Sequence, residues 1–540
     1  MSTNVDDALL DQVRHRFAYQ VVSSLKVSNP RGLMQHVSPI HCDNAGVSAA
    51  GDDLHVLMDT NIVLALEGEV DSDHVNGEQA AEAHRLVQDL GGTASILENQ
   101  LDDLSRIADA NLRARRQRQL RKYPRLARVD LSLDFLNDAN YRTPLNPESN
   151  DGVDAALLLA LSRNAATWLV TEDRGLHRHA RQFGIARRVM RLVDLLGVLR
   201  ALKGQIPPHY SVDLVQPHVV DPEQRFFRSL EKGYPGFRSW WEDRVVAKRR
   251  KCMIIGDPSS MRGLAVLDEQ DPQVPGFPSS SVKICTFKIE ESSQGRKLGE
   301  TLLDATIAAI RATGAQGCFV EVNIDHVALT TMLREFGFFD LELKDGRADE
   351  LVLGKILDPA ADSTPVIDPL AFNRKYGPGR RIVERAFVVP IVPLYHGMLF
   401  PGAEPQMSLF DTTYGNAIRK VYICHSPTKS LEPGDTLLFY RTHDNHAIHA
   451  VGVVEDTLRT RIPTDVFGFA GARTVYSAEQ IRAMCTKEVL AIRFRLDQVV
   501  KPPVTRRELR IMGVFDSSPQ SITRLKSKEA LEWAQALEDA

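Results

Sequence analysis

Short apolar runs alternate with helical patterns over residues 51–204. Two of these runs, 55–58 and 167–170, have the length and composition of buried strands. Apolar positions recur at helical spacing in four other segments: 81–90, 97–108, 154–162 and 175–183. Strands that alternate with helices predict a parallel sheet with helices on both faces, which is a doubly wound α/β fold.

The pattern changes twice farther along the chain. Residues 223–357 combine several apolar strands with a long helical stretch at about 296–312, which predicts an α+β block. From 382 to 540, short strands separated by Gly, Pro and Asp turns predict a C-terminal β-barrel. Proline-rich stretches at 205–222 and 358–381 predict linkers, and residues 1–50 predict an N-terminal helical extension.

Composition narrows the class of protein. The 540 residues are 43% hydrophobic and 25% charged, as is typical of a folded chain, and the formal net charge is −4. No run approaches the roughly 20 apolar residues of a membrane span, and the first residues do not have the pattern of a secretory signal. The six cysteines form no Cys-x-x-Cys pair. These features predict a cytoplasmic protein without a membrane partner.

Acidic residues follow both strands of the first block. Asp59 begins the run Asp59-Thr60-Asn61, and Asp173 ends the run Thr171-Glu172-Asp173. With Glu98 and Asp154 they form an ordered set that resembles the PIN family of metal-dependent ribonucleases. The resemblance implies that Asp59, Glu98, Asp154 and Asp173 are catalytic and bind Mg²⁺ or Mn²⁺, with Asp151 as a candidate fifth ligand.

Physical chemistry agrees with a cation at such a cluster. Two carboxylates about 5 Å apart repel by about 3 kcal/mol at an effective dielectric near 20, so a group of four favours a bound cation. Oxygen ligands suit Mg²⁺ or Mn²⁺. The alternative is that these acids are helix caps and solvated surface residues.

A basic segment lies in the same block. Residues 111–128 contain no acid, and their cations could neutralise the phosphates of RNA. The alternative is a solvated helix face. The residues predicted to contact nucleic acid are Arg113, Arg115, Arg116, Arg118, Arg121 and Lys122.

A turn before the long helix of the middle block has the pattern of a phosphate-binding loop. Free N–H groups at a helix start favour phosphate, and glycines allow close approach of the backbone. The turn has the pattern Gln-x-x-x-x-Gly from Gln294 to Gly299, and Gly337-Phe338 follows a later amphipathic helix. On these two motifs residues 250–357 resemble the GNAT superfamily of acyltransferases, which implies acetyl-CoA as cofactor. The cofactor-binding residues would be Gln294, Gly295, Arg296, Lys297, Leu298 and Gly299.

Two positions depart from the GNAT pattern. Lys297 stands where the family usually has a glycine. Leu333 stands where many members have a tyrosine that protonates the leaving thiolate, and leucine has no proton to donate. A scaffold or an acetyl-CoA sensor is therefore an alternative to acetyl transfer.

The last block is similar to the PUA-like domains of the ASCH and EVE groups. The similarity is carried by the turn Pro433-Gly434-Asp435 before the strand at 436–440, and by the later run Val451-Gly452-Val453-Val454. Such domains are associated with RNA and modified bases. Tyr422, Phe439 and Tyr440 stand near several cations, as in surfaces that stack on bases. The alternative is that these aromatic side chains belong to the core.

Together these patterns predict an RNA-cleaving enzyme, toxin-like or active in defence or RNA processing, with acetyl-CoA-binding and RNA-reading modules. The first alternative is an acetyl-CoA-dependent acyltransferase acting on RNA or protein, with the first block as a recruiting module. A binding adaptor for modified RNA is the second. An inhibitory protein partner and a homodimer are further expectations by analogy.

Overall fold

The computed structural model describes residues 54–68, 76–131, 150–204, 210–270, 274, 276–293, 295–341, 350–400, 418–515 and 519–537. The described residues belong to one compact unit. The predicted N-terminal extension, residues 1–50, lies outside the described residues.

The first sheet has five strands in the order β3-β2-β1-β4-β5, all parallel. Its strands are β1 (His55–Met58), β2 (Thr93–Leu97), β3 (Arg125–Leu126), β4 (Trp168–Val170) and β5 (Val189–Met190). The helices of this region are α1 (Thr60–Leu66), α2 (Gly77–Asp89), α3 (Gln100–Ser105), α4 (Ala110–Leu120), α5 (Asn150–Ser162), α6 (Arg174–Gln182) and α7 (Leu192–Leu202).

Helices cover both faces of this sheet. Leu57 of β1 packs in a cluster with α5 and α6, whereas its neighbours Val56 and Met58 pack on the opposite side with α2 and α7. Successive side chains of a strand point to opposite faces, so a strand that is covered on both sides is apolar throughout. The predicted parallel sheet is confirmed.

The second sheet has seven strands in the order β11-β12-β10-β9-β8-β7-β6. These are β6 (Val212–Val215), β7 (Lys251–Asp257), β8 (Ser260–Asp268), β9 (Ser281–Ile289), β10 (Gly317–Asn323), β11 (Phe339–Asp340) and β12 (Glu350–Ile356). Among the described residues of this sheet, β9 and β10 are the one pair of strands that run parallel. The helices here are α8 (Arg228–Gly233), α9 (Phe237–Trp240), α10 (Leu298–Arg311) and α11 (Val327–Glu335).

The third sheet has six strands in the order β14-β17-β16-β15-β13-β18. These are β13 (Ala386–Ile391), β14 (Arg419–Cys424), β15 (Thr436–Arg441), β16 (Ala447–Thr460), β17 (Val489–Thr505) and β18 (Thr523–Arg524). Nearby are the helices α12 (Pro369–Tyr376), α13 (Pro393–Leu399), α14 (Pro463–Ala470), α15 (Ala478–Met484), α16 (Arg506–Ile511) and α17 (Lys528–Ala536).

The C-terminal sheet differs from the predicted closed barrel. In the described residues β14 and β18 are the two ends of an open, mixed sheet. Its longest strands, β16 and β17, pair with several register shifts. Bulges of this kind bend a sheet strongly without requiring the edges to meet.

One hydrophobic core joins the first sheet to the third. It contains residues of β4 and α7 together with residues of α14 and β17. At Gly468 of α14 an added Cβ would lie 3.1 Å from the indole Nε1 of Trp168, so a larger residue there would require Trp168 to move slightly. The segments predicted as linkers contain β6 and α12.

Buried ion pairs stabilise the third sheet and its boundary with the second. Arg381 Nη1 lies 2.7 Å from Asp497 Oδ2, and neither side chain is exposed. Glu455 accepts hydrogen bonds from Arg419 at 2.7 Å and from Arg495 at 3.1 Å. Breaking such a pair leaves an uncompensated buried charge, which costs about 3 kcal/mol or more. In the part of the chain that the structure describes, no helix has the length and apolar character needed to span a membrane.

Candidate functional site

The predicted acids of the first sheet lie where parallel strands end. Asp59 follows β1, Glu98 follows β2, and Asp173 lies three residues after the end of β4. Asp151 and Asp154 are in the first turns of α5. The topology therefore places three of the five at the carboxyl edge of one sheet, where sites form in such folds.

The Asp59 carboxylate accepts hydrogen bonds from nearby polar groups. Its Oδ1 accepts from the Thr60 N–H at 2.6 Å, and its Oδ2 accepts from Asn61 Nδ2 at 2.8 Å and from Thr171 Oγ1 at 2.5 Å. The Asp59 carboxylate thus caps α1 and ties β1 to β4.

The other predicted acids differ in exposure. Asp173 is exposed and caps α6, with Oδ1 accepting from the Leu176 N–H at 2.8 Å. Asp151 is also exposed, and Glu98 and Asp154 are half-buried. Across the described segments, no group of three or more His, Cys, Asp or Glu side chains is arranged to hold a metal ion. The predicted four-acid Mg²⁺ or Mn²⁺ centre is therefore not found.

A glutamine that the sequence patterns did not single out lies at the same edge. Gln100 is fully buried and donates to the Met58 carbonyl and to Thr60 Oγ1, both at 3.1 Å. Its Oε1 accepts from the Leu97 N–H at 2.6 Å. The Gln100 amide thus links the ends of β1 and β2 and stabilises the fold.

The predicted nucleic-acid residues lie on α4 and just beyond it. Arg113 donates to the Ile107 carbonyl at 2.8 Å, and Lys122 pairs with Glu67. Arg115, Arg118 and Arg121 are exposed, and Arg116 is half-buried. The segment is a cationic surface, and its binding to RNA stays a prediction.

The second sheet opens between its two parallel strands. β9 and β10 pair at four positions, from Ser281 opposite Gly317 to Ile284 opposite Val320, and within these two fully described strands the pairing stops there. Each strand continues, β9 to Ile289 and β10 to Asn323. Both stay paired on their outer sides, to β8 and to β12. The result is a wedge whose inner edges are strand backbone.

A register shift explains the opening. Val266 of β8 lies opposite Thr286 of β9, but the next residue, Leu267, lies opposite Ile284. Cys285 is thus an extra residue in β9, as in a β-bulge. Such a bulge bends its strand and increases the local twist. It falls at the position where β9 leaves β10, so it accounts for the separation.

The turn that leads into α10 lies beyond the end of β9. Lys297 caps the helix with φ 60° and ψ 17°, the left-handed conformation that glycine adopts without strain. The departure at this position from the GNAT pattern therefore retains the backbone shape that a glycine would give. An added Cβ on Gly299 would lie 3.0 Å from Met332 Sδ, so α10 and α11 are close here. Gln294 lies outside the described residues.

Charges from two other parts of the chain surround this turn. Lys297 Nζ lies 3.0 Å from Asp194 Oδ1 of α7. Glu300, buried in the first turn of α10, pairs with Arg473 at 2.8 Å and accepts from the Arg419 N–H at 3.2 Å. Burial opposes ionisation of Glu300, but Arg473 and then Lys297 lower its pKa below the usual value.

Leu333 is buried on α11, with 1% of its surface exposed. It belongs to the core cluster of the second sheet. It therefore serves packing, and any proton for a leaving group must come from elsewhere.

The third sheet carries a cavity of about 550 Å³. Three tyrosines line it, and the rings of Tyr395 and Tyr476 have centroids 4.5 Å apart. Tyr422 Oη donates to the Pro390 carbonyl at 3.2 Å. Burial raises the pKa of the Tyr395 phenol and raises that of the Cys424 thiol to about 11, so both stay protonated at neutral pH. The rest of the lining includes Val392, Ile423, Thr442, His443, His446 and Met484.

Two of the three aromatic residues predicted to stack on bases are core residues. Phe439 and Tyr440 are fully buried in the core, and only Tyr422 borders the cavity. Lys420 is also fully buried, and Arg419 and Arg473 are used in ion pairs. Tyr395 and Tyr476 were missed because they lie on α13 and just before α15, far apart in the chain.

Solved structures of two kinds are similar to parts of the chain. An ASCH protein from Zymomonas mobilis is 16% identical, with a TM-score of 0.22; the match covers 28% of this chain and 93% of that one. A candidate GNAT-family acetyltransferase from Desulfovibrio desulfuricans is 15% identical, with a TM-score of 0.22, over 27% of this chain and 99% of that one.

A third similar structure is yncA of Salmonella typhimurium, a candidate acetyltransferase solved with its cofactor acetyl-CoA. It is 15% identical, with a TM-score of 0.23, over 29% of this chain and 98% of that one. No protein-family model matches the chain, and no curated protein matches it either. At these identities and TM-scores, the similarities do not define an activity for this chain.

One prediction about the chemistry is corrected. The described residues place no group of acids to hold the metal ion that the predicted reaction needs, and the similar structures that are named as enzymes are acetyltransferases, not hydrolases of phosphodiester bonds. The prediction of a metal-dependent ribonuclease is therefore wrong, and the toxin-like role inferred from it has no support.

Proposed function

We propose that the chain is an acyltransferase-type protein that binds acetyl-CoA in the wedge between β9 and β10. The observation that carries the proposal is the coincidence of the bulge at Cys285 with the end of β9–β10 pairing. An extended ligand with amide groups can add its hydrogen bonds to such strand edges. The α10 turn then lies where the phosphates of the same ligand would be bound.

The residues of the turn fit a phosphate chemically. The first turn of a helix leaves N–H groups without partners inside the helix, and the positive end of the helix dipole points to them. Arg296 and Lys297 add two cations at the start of α10. Lys297 would hold a phosphate oxygen through its ammonium group.

Acetyl-CoA supplies an activated acyl group as a thioester. An amine of the acceptor would attack the carbonyl, so that a C–N bond forms and the C–S bond breaks. The amine gives up a proton, and the leaving thiolate takes one to become the free thiol. Because Leu333 is buried and has no proton to give, this proton would come from solvent or from the acceptor. RNA and protein amines are the proposed acceptor classes.

Calorimetry with acetyl-CoA and the variant Lys297→Met test the binding step. We expect the wild type to bind and the variant to bind about tenfold more weakly, because a charge-assisted hydrogen bond contributes about 1.5 kcal/mol. Lys251→Met is the matched control, since Lys251 begins β7 of the same sheet and pairs with Glu269. An absence of heat with the wild type would refute the proposal.

A second candidate function is recognition of a planar ring by the cavity of the third sheet. Its volume is within the range of small-ligand sites, and its tyrosines offer faces on which a nucleobase could stack. Each stacked base contributes about 1–3 kcal/mol. We expect Tyr395→Ala to weaken binding of a short single-stranded RNA about tenfold, as measured by fluorescence anisotropy. Unchanged affinity would remove this role.

A further inference from the structure

The α10 turn is covered by a helix of the first sheet region. Asp194, in the first turn of α7, places its Oδ1 3.0 Å from Lys297 Nζ. An added Cβ on Gly295 would lie 3.3 Å from both the Val193 carbonyl oxygen and Arg200 Nη1. The side chains of Asp194 and Arg200 and the carbonyl group of Val193 therefore lie directly against the turn that would hold phosphate.

The Asp194 carboxylate is an anion of the protein itself that contacts the Lys297 ammonium group. Half of the Asp194 side chain is exposed, whereas the Lys297 side chain is 15% exposed. Partial burial opposes ionisation of Asp194, but Lys297 and then Arg473 outweigh it and lower the pKa of its carboxyl below the usual value. Asp194 is thus a carboxylate at neutral pH, with the charge that a phosphate oxygen would bring to the same ammonium group.

We infer that Asp194 acts as an internal competitor for the phosphate position, so that acetyl-CoA binds the α10 turn only by displacing the Asp194 contact of α7. This inference rests on the proposed function and adds its regulation. The site would be open when α7 gives up this contact and closed when the contact is made. Binding of acetyl-CoA and packing of α7 on the turn are then coupled reciprocally.

The ion pair of Asp194 and Lys297 is weak enough to be displaced by a ligand. Because Asp194 is half exposed, water screens the pair and stabilises it only modestly. The pair therefore lowers the affinity for acetyl-CoA without abolishing binding. By contrast, the buried pair of Glu300 and Arg473 keeps the start of α10 in place when Asp194 leaves.

Calorimetry on the full chain with Asp194→Asn tests the inference. Loss of an exposed ion pair corresponds to about a three- to fivefold change, so we expect acetyl-CoA to bind the variant tighter by that factor. S-acetylpantetheine, which lacks the pyrophosphate and nucleotide, should bind the wild type and the variant equally. Asp194→Ser should show the same gain as Asp194→Asn.

Asp89→Asn is the matched control, because Asp89 pairs with Lys203 just beyond the other end of α7 at a similar exposure. It should leave both affinities unchanged. Equal acetyl-CoA affinity in the wild type and in Asp194→Asn would overturn the competition while leaving the proposed function standing. Tighter binding of both ligands would also overturn it, since that would indicate a general loosening. No binding of acetyl-CoA by any form would refute the proposed function itself.

Discussion

Carboxylates gather in two regions of this molecule, and their partners differ. At the carboxyl edge of the first sheet, Asp59 and Asp173 accept hydrogen bonds from backbone N–H groups at the starts of α1 and α6. At the boundary of the second and third sheets, Glu300 and Glu455 are buried against arginines. The first group completes helix ends, whereas the second joins separate parts of the chain.

The difference shows that position along the chain does not fix what an acid does. An acid after a parallel strand suits a metal site and a helix cap equally well, because both are found at that edge. Only the partners decide between them. The strand-end acids accept from backbone N–H groups one to three residues away, and Asp59 also accepts from the neutral hydroxyl of Thr171. The boundary acids pair with arginine cations that are more than 30 residues away in the chain.

The largest effect is expected at Glu455. Burial opposes its ionisation, but Arg419 and Arg495 lower its pKa from 4.5 to about 2. A lowered folded-state pKa gives stability that is present above pH 4.5 and is lost as the pH falls through 2. Glu455→Gln should therefore cost about 3 kcal/mol of unfolding free energy at pH 7 and much less at pH 2.5, by urea denaturation.

Glu488→Gln is the control for that experiment. Glu488 pairs with Arg459 in the same sheet but is half exposed. Its loss should cost below about 1 kcal/mol. Equal costs for the two variants at pH 7 would contradict the distinction between buried and exposed acids.

A smaller effect is expected at the strand-end acids. Asp59→Ala should lower the unfolding free energy by about 2 kcal/mol, because it removes a helix cap and the acceptor of Thr171. Asp59→Asn should cost less, because asparagine caps helices about as well as aspartate. Acetyl-CoA affinity should not change in either variant. Thermal and urea unfolding measure the stability, and equal losses in both variants would argue against the capping role.

The sequence predicted two of the five strands of the first sheet and its parallel arrangement. The run 55–58 is β1, and the apolar stretch before Asp173 contains β4, because a strand buried on both faces leaves a continuous apolar pattern. The patterns near β15 were less informative. Phe439 and Tyr440 are adjacent and both fully buried, so their aromatic character gave no sign of whether they face a ligand or the core.

The candidate site was only half accessible to sequence reasoning. The turn at 295–299 has a local signature of glycines and cations before a helix. The bulge at Cys285 has none, because it depends on register against β8. Asp194 is 103 positions from Lys297, and no local pattern links two charges at that separation.

Hydrogen–deuterium exchange with and without acetyl-CoA tests the central claim most directly. A ligand that fills the wedge would bond to the inner edges of β9 and β10, so we expect slower exchange in residues 285–289 and 321–323 and in the first turn of α10. The third sheet, from β13 to β18, should be unaffected. Unchanged exchange at the wedge in the presence of saturating acetyl-CoA would contradict the account.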